Sequence, residues 1–167
     1  MHILDIPANA SREVVAARWR EYVAHIESVR GDLPDEAAAF ALAEWHYDFR
    51  DHRCPHDAWV ESVAVVELAR GERQEIRSLE IRIVLLGAYH DGRIHLIYPG
   101  VTRYDLRQPS GAYGPAHGDW LVDEVDVAPT STPEQRRVVH AIAFASGARW
   151  TIEAANILYE WVPATHA

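Results

Sequence analysis

Between His46 and Asp57 the chain gathers three histidines (His46, His52, His56), Cys54 and three aspartates (Asp48, Asp51, Asp57). Imidazole and thiolate both bind zinc, and a catalytic zinc takes three protein ligands with one position left open. His46, His52, Cys54 and His56 are therefore the candidate ligands of a metal site, and zinc is the implied cofactor under that reading alone. The spacing argues the other way, since it is neither a Cys-x-x-Cys pair, nor a His-Glu-x-x-His helix, nor a knuckle. The stretch also falls where a helical region gives way to a sheet, a place where solvated polar residues are ordinary.

Histidine and aspartate recur together at turn-like positions: His56-Asp57, His90-Asp91 and His117-Gly118-Asp119. A carboxylate beside an imidazole can orient the ring and raise its basicity, and both residues also suit turns for local hydrogen-bonding reasons. Asp57, His90, His117 and Asp119 form a candidate polar site if these turns share one end of a sheet. No nucleophile stands with them. Ser62, Ser78, Ser110, Ser131 and Ser146 lack a Gly-x-Ser-x-Gly elbow. Cys54 lies near His52 and His56, as a thiolate–imidazole pair would, but inert packing is the commoner role of a lone cysteine. Gly111-Ala112-Tyr113-Gly114 has no helix behind it to supply the dipole of a phosphate loop. Asp123 and Glu124 are strand neighbours and point to opposite faces, so no carboxylate dyad forms and an exposed sheet face accounts for them. No catalytic residue is assigned.

Helices and strands must position these groups. From Ser11 onward, Val14, Val15, Trp19, Tyr22, Val23, Ile26 and Val29 recur at three- and four-residue spacing, which predicts an amphipathic helix. Ser11 is its cap, Glu13 suits its dipole and Gly31 its end. Pro34 opens a second helix with Asp35 and Glu36 in its first turn and a body over 37–45. Beyond Pro55 the pattern turns to strands: 59–68, 76–89, 93–98, 101–106, 120–127, 138–144 and 148–161. Leu79, Ile81, Ile83 and Leu85 alternate with Glu80, Arg82 and Val84, the period of a strand with one buried face. Asp91-Gly92 predicts a tight hairpin turn, and 108–118, rich in glycine and proline, predicts a loop. In the last strand Ala148, Trp150, Ile152 and Ala154 share one parity, while Ile157, Tyr159 and Trp161 share the other. A β-bulge near Ala155-Asn156 would reconcile them. Most tryptophans should fill the core, and one or two left at the surface would mark an interface.

At 167 residues, 49% of them apolar, the chain has the size and composition of one globular domain. The formal charge of −9, from 16 basic and 25 acidic residues, disfavours nucleic acid as a partner and suits a basic protein partner. No window reaches the ~20 apolar residues of a membrane helix. The first residues lack a secretory pattern, and one cysteine cannot form an internal disulfide, so the expected location is cytoplasmic.

His56-Asp57-Ala58-Trp59, the alternating strand after it, and the run from Ile94 through Tyr98-Pro99-Gly100-Val101 resemble a group of small bacterial β-rich proteins. His117-Gly118-Asp119-Trp120 and Ser146-Gly147-Ala148-Arg149-Trp150 add to the likeness, which covers about residues 56–161. Some members of that group are thought to be immunity proteins of polymorphic toxin systems. The resemblance implies a bacterial, cytoplasmic, non-enzymatic protein, and the helical residues before His56 depart from it. The fold expected is α+β, one domain over 1–167. A helical hairpin over 1–54 packs on a mostly antiparallel sheet of about six strands over 55–163. The function expected is a protein-binding module, of the immunity type, masking a basic toxin. The alternative is a metal- or small-ligand-binding protein, or a hydrolase, built on His46, His52, Cys54 and His56. A homo-oligomer paired through a sheet edge or the helical hairpin is a third reading.

Overall fold

A computed structural model describes residues 3–6, 10–108 and 116–165. Most of the loop expected over 108–118, with Ser110 and Gly111 to Gly114, lies outside the described residues. Helix α1 spans Arg12–Val29, and the Ser11 side chain accepts the Val14 N–H as its cap. Tyr22 and Ile26 are buried, Trp19 and Val29 pack beside them, and Val14 and Val23 remain exposed. The inward stripe is thus narrower than the periodicity predicts. A 3-10 turn, Arg30–Asp32, leads through Pro34 into α2, Asp35–Ala41. This helix is shorter than expected. From Ala43 to Ala58 the chain runs through successive turns, with His46 N–H on the Ala43 carbonyl and Asp51 N–H on the Asp48 carbonyl.

Eight strands follow: β1 Trp59–Arg70, β2 Ile76–Leu86, β3 Gly92–Val101, β4 Arg103–Arg107, β5 Trp120–Val127, β6 Val138–Phe144, β7 Arg149–Ala154 and β8 Leu158–Pro163. They form two four-stranded antiparallel sheets, ordered β1-β2-β3-β8 and β4-β7-β6-β5. The single sheet of about six strands is therefore corrected to two sheets of four. The cause is a pair of corners where neighbouring strands leave one sheet for the other, as packed sheets allow. At the first, Gly100 adopts a φ of 59°, and Arg137 Nη2 donates to its carbonyl and to the Thr102 hydroxyl. Glu153, itself buried, accepts the Thr102 and Thr130 hydroxyls beside it. At the second, between β7 and β8, Ala155 N–H bonds to the Pro99 carbonyl and Asn156 Oδ1 accepts Ala37 and Ile157 N–H. The parity change read as a bulge near Ala155-Asn156 is this change of sheet.

The β2–β3 hairpin also differs from expectation. Gly87 N–H pairs with the Gly92 carbonyl, and the left-handed residue is His90, at φ 57°, rather than Asp91 or Gly92. Gly92 is required by proximity instead: a Cβ there would sit 2.4 Å from the Trp161 ring. The core lies between the sheets and under the helices. Ile81, Ile83, Leu85, Ile94 and Leu96 face Trp120, Val125, Ile142, Phe144, Trp150 and Ile152, with Tyr22, Ile26, Leu33 and Phe40 closing one side. Leu4 packs on the outer face of the second sheet, against Ala141 and Ala143, while Ile3 joins the main core. There Glu124 accepts the Ile3 and Leu4 N–H groups, and Arg149 donates to the Leu4 carbonyl. Glu124 is buried, not on an exposed face as expected. No described helix is long and apolar enough to cross a membrane.

Candidate functional site

The centre of the core is polar. Asp123, 2% exposed, receives the Nε2 atoms of His46 and His140, each 2.8 Å from its Oδ2. Trp120 Nε1 donates to its Oδ1 at 3.0 Å. Beyond the aspartate, His46 Nδ1 lies 2.9 Å from the Phe40 carbonyl, and His140 Nδ1 lies 2.8 Å from the Tyr98 hydroxyl. A carbonyl and a carboxylate can only accept, so both His46 nitrogens carry protons and the ring is an imidazolium. His140 Nε2 bonds to the same carboxylate oxygen, and its Nδ1 shares a hydrogen bond with the Tyr98 hydroxyl. One carboxylate thus gathers two imidazoles and an indole, and both nitrogens of each imidazole are partnered. Burial alone would raise the Asp123 pKa, but attraction to His46 and the hydrogen bonds from both histidines outweigh it. The carboxyl is held well below its usual range.

This relay fastens an irregular segment to a strand. Tyr47 donates to the Asp123 carbonyl at 3.1 Å and lies 3.2 Å from the Tyr22 hydroxyl, which in turn accepts Val125 N–H. Cys54 Sγ donates to the His46 carbonyl at 2.9 Å, Asp57 N–H to the Trp120 carbonyl, and the Tyr159 hydroxyl to the Arg53 carbonyl. The segment over 43–58 is thereby pinned on its inner side. Its outer side meets the β2–β3 turn. Phe49 stacks on His56 at 3.9 Å, the Tyr89 hydroxyl donates to the Phe49 carbonyl, and Tyr89 stacks on His52 at 4.2 Å. Trp59 lies edge-on to His90 and donates from Nε1 to Asp119. Phe49, Trp59 and Tyr89 are each about half exposed, at 49%, 50% and 49%.

The sequence candidates divide accordingly. His46 is sealed in the core, and both its nitrogens are engaged. Cys54 is buried, and burial pushes its thiol up to about 12, so it is no thiolate. His52 sits at the surface with Nδ1 2.5 Å from Asp91 Oδ2, and His56 holds the Leu121 carbonyl. Among the described residues, no group of three or more His, Cys, Asp or Glu side chains is placed to hold a metal. Of the turn residues, His90 and Asp119 meet at Trp59. Asp57, at φ 63°, stands 3.5 Å from His56 on the same end. His117 turns away to Gln108 and packs on Trp150.

Asp123, His140 and Tyr98 were missed, and the exposed placement expected of Asp123 is corrected. Its strand pairs regularly except between Trp120 and Val122, where the register shifts. That bulge turns Asp123 and Val125 to the same inner face as Trp120, whereas strict alternation would have turned Glu124 inward. A usable signal lay in His140, a lone imidazole at an inward position of the otherwise apolar strand Val138–Phe144. Compared with known protein families, curated proteins and solved structures, the chain matches none.

Proposed function

We propose that this chain is a non-enzymatic protein-binding module that takes a basic protein partner on the surface formed by Phe49, Trp59 and Tyr89. The observation that carries the reading is three half-exposed aromatic side chains gathered on one end, each anchored by a ring contact or a hydrogen bond. Tryptophan and tyrosine are the residues most enriched at binding hot spots, and anchored rings lose little rotamer freedom on binding. Charge selects the partner. Arg50, Arg53 and Arg93 are each bound by their own acid, Asp48, Asp51 and Glu61. Asp57, Asp91 and Asp119 face only imidazole or indole partners, so the surface is net acidic, in keeping with the overall −9. Such a surface speeds encounter with a basic protein and helps select it. The resemblance to immunity proteins supports the same reading, with a basic toxin as the partner.

The test is affinity capture from the source cell with the wild-type chain and with a Trp59→Ala/Tyr89→Ala variant, followed by calorimetry with the partner found. Loss of a hot-spot ring costs at least about 2 kcal/mol, roughly thirtyfold in Kd, and affinity should weaken further as salt rises. A partner held equally by the folded variant, or one indifferent to salt, would sink the proposal.

A further inference from the structure

Among the described residues, every sheet edge but one is guarded. Strand β8 has α2 packed against it and β5 lies under α1. Strand β4 has five residues and carries Arg103, Asp105 and Arg107. Strand β1 differs. It runs for 12 residues, and among the described residues it pairs only with β2. Residues 62–66, Ser-Val-Ala-Val-Val, hold no charge and no proline, the devices that normally blunt an edge. About half the residues of such a strand direct their N–H and C=O groups away from the sheet, unpaired. Both its shoulders are apolar. Ala64, Val66 and Leu68 face outward, while Val63 and Val65 face inward, where Val65 is still 45% exposed.

We propose that a second copy of this chain adds to this edge, β1 against β1, antiparallel about a two-fold axis at Val65. Two copies of one strand, paired antiparallel, satisfy such symmetry. In this register Ala64 opposes Val66 and Ser62 opposes Leu68 on the outer face, and Val65 opposes Val65 on the inner. Charge fits too. The register shift between Val60 and Ser62 leaves Glu61 on the outer face, where it already holds Arg93, an outward residue of β3. That sets it beside the outward Arg70 of the other copy, and Arg70 makes no ion pair within its own chain among the described residues. The contact forms twice. The two Glu67 side chains fall four residues apart, roughly 13 Å, beyond the screening length at physiological salt. The result is a continuous eight-stranded sheet.

Light scattering across about 1 to 200 µM chain reads the mass, because dimer content follows mass action. The wild type should rise toward twice the 18.9 kDa chain mass. Val65→Lys sets two ammonium groups face to face on the axis and should weaken the dimer by about tenfold or more. Val23→Lys, at an exposed position on α1 away from this edge, should leave it intact. Arg70→Glu should weaken it, and Glu61→Arg combined with Arg70→Glu should restore it. A wild type that stays monomeric throughout overturns the proposal, as does a dimer untouched by Val65→Lys or not rescued by the charge swap.

Discussion

Replacing Asp123 with alanine takes one acceptor from three buried donors at once: His46 Nε2, His140 Nε2 and Trp120 Nε1. His46 is then an imidazolium in the core with no counter-charge, or a neutral ring that has given up its proton. Breaking a buried pair by removing one partner costs about 3–5 kcal/mol, a large part of the 5–15 kcal/mol that typically holds a domain together. For a chain of this length that is a fall in Tm of roughly 6–20 °C. Asp123→Asn keeps the volume and an oxygen for Trp120, but its amide N–H confronts an imidazole N–H, and about 1–3 kcal/mol is expected. Urea unfolding followed by tryptophan fluorescence measures both, and Trp120 reports from the site itself. The pH dependence supplies a second readout. The Asp123 carboxyl is lower in the folded chain than its ordinary value of 3.8, so its contribution is complete above that value and is lost as pH falls toward the folded pKa. The gap between wild type and Asp123→Asn should therefore narrow from pH 5 to pH 2. An alanine variant within about 1 kcal/mol of wild type, or a gap that widens in acid, would refute the relay as argued.

Three further outcomes follow from other parts of the structure. Cys54, buried and held as a thiol, should react with a disulfide reagent at pH 8 only at the rate of unfolding; prompt labelling of the native protein would contradict this. Gly92→Ala drives a Cβ to 2.4 Å from Trp161 and 2.8 Å from the Val162 carbonyl, and should destabilise by about 1–3 kcal/mol in denaturant. Gly31→Ala, with nothing within 4 Å, is its neutral control. Because His46 and Cys54 are both committed to internal hydrogen bonds, protein dialysed after exposure to zinc should retain well under one equivalent, as elemental analysis would show.

The strands were legible wherever the chain keeps one sheet face inward without interruption. Residues 120–127 and 138–144 coincide with β5 and β6, and Ser146-Gly147 turns β6 into β7 as expected. Legibility failed at changes of direction. The corner after Gly100 preserves alternation along the chain while changing the sheet it belongs to, so a period-two pattern carries no record of it, and the corner at Asn156 shifts the parity as a bulge within one strand would. Alanine richness after Ala37 read as a long helix, yet α2 stops at Ala41 because the next turns answer to the core: His46 must reach Asp123, and Phe40 must offer it a carbonyl.

The site was half visible for a related reason. The density of histidine and aspartate over residues 46–57 marked the right segment, but not the division of labour inside it. An irregular segment has no ladder to hold it, so its hydrogen bonds must be found elsewhere, one by one. Here His46, Tyr47, Cys54 and Asp57 bond inward to Phe40, Asp123, Trp120 and the backbone of the segment itself. Phe49, His52 and His56 are thereby left on the outer side. Directional bonds to one carboxylate admit one placement of the segment, whereas an apolar filling of equal volume would tolerate sliding. The aspartate that makes this selection comes from β5, far along the chain, and faces inward only because of a bulge at Leu121. That is why the outer surface could be suspected from residues 46–57 while the group that positions it could not.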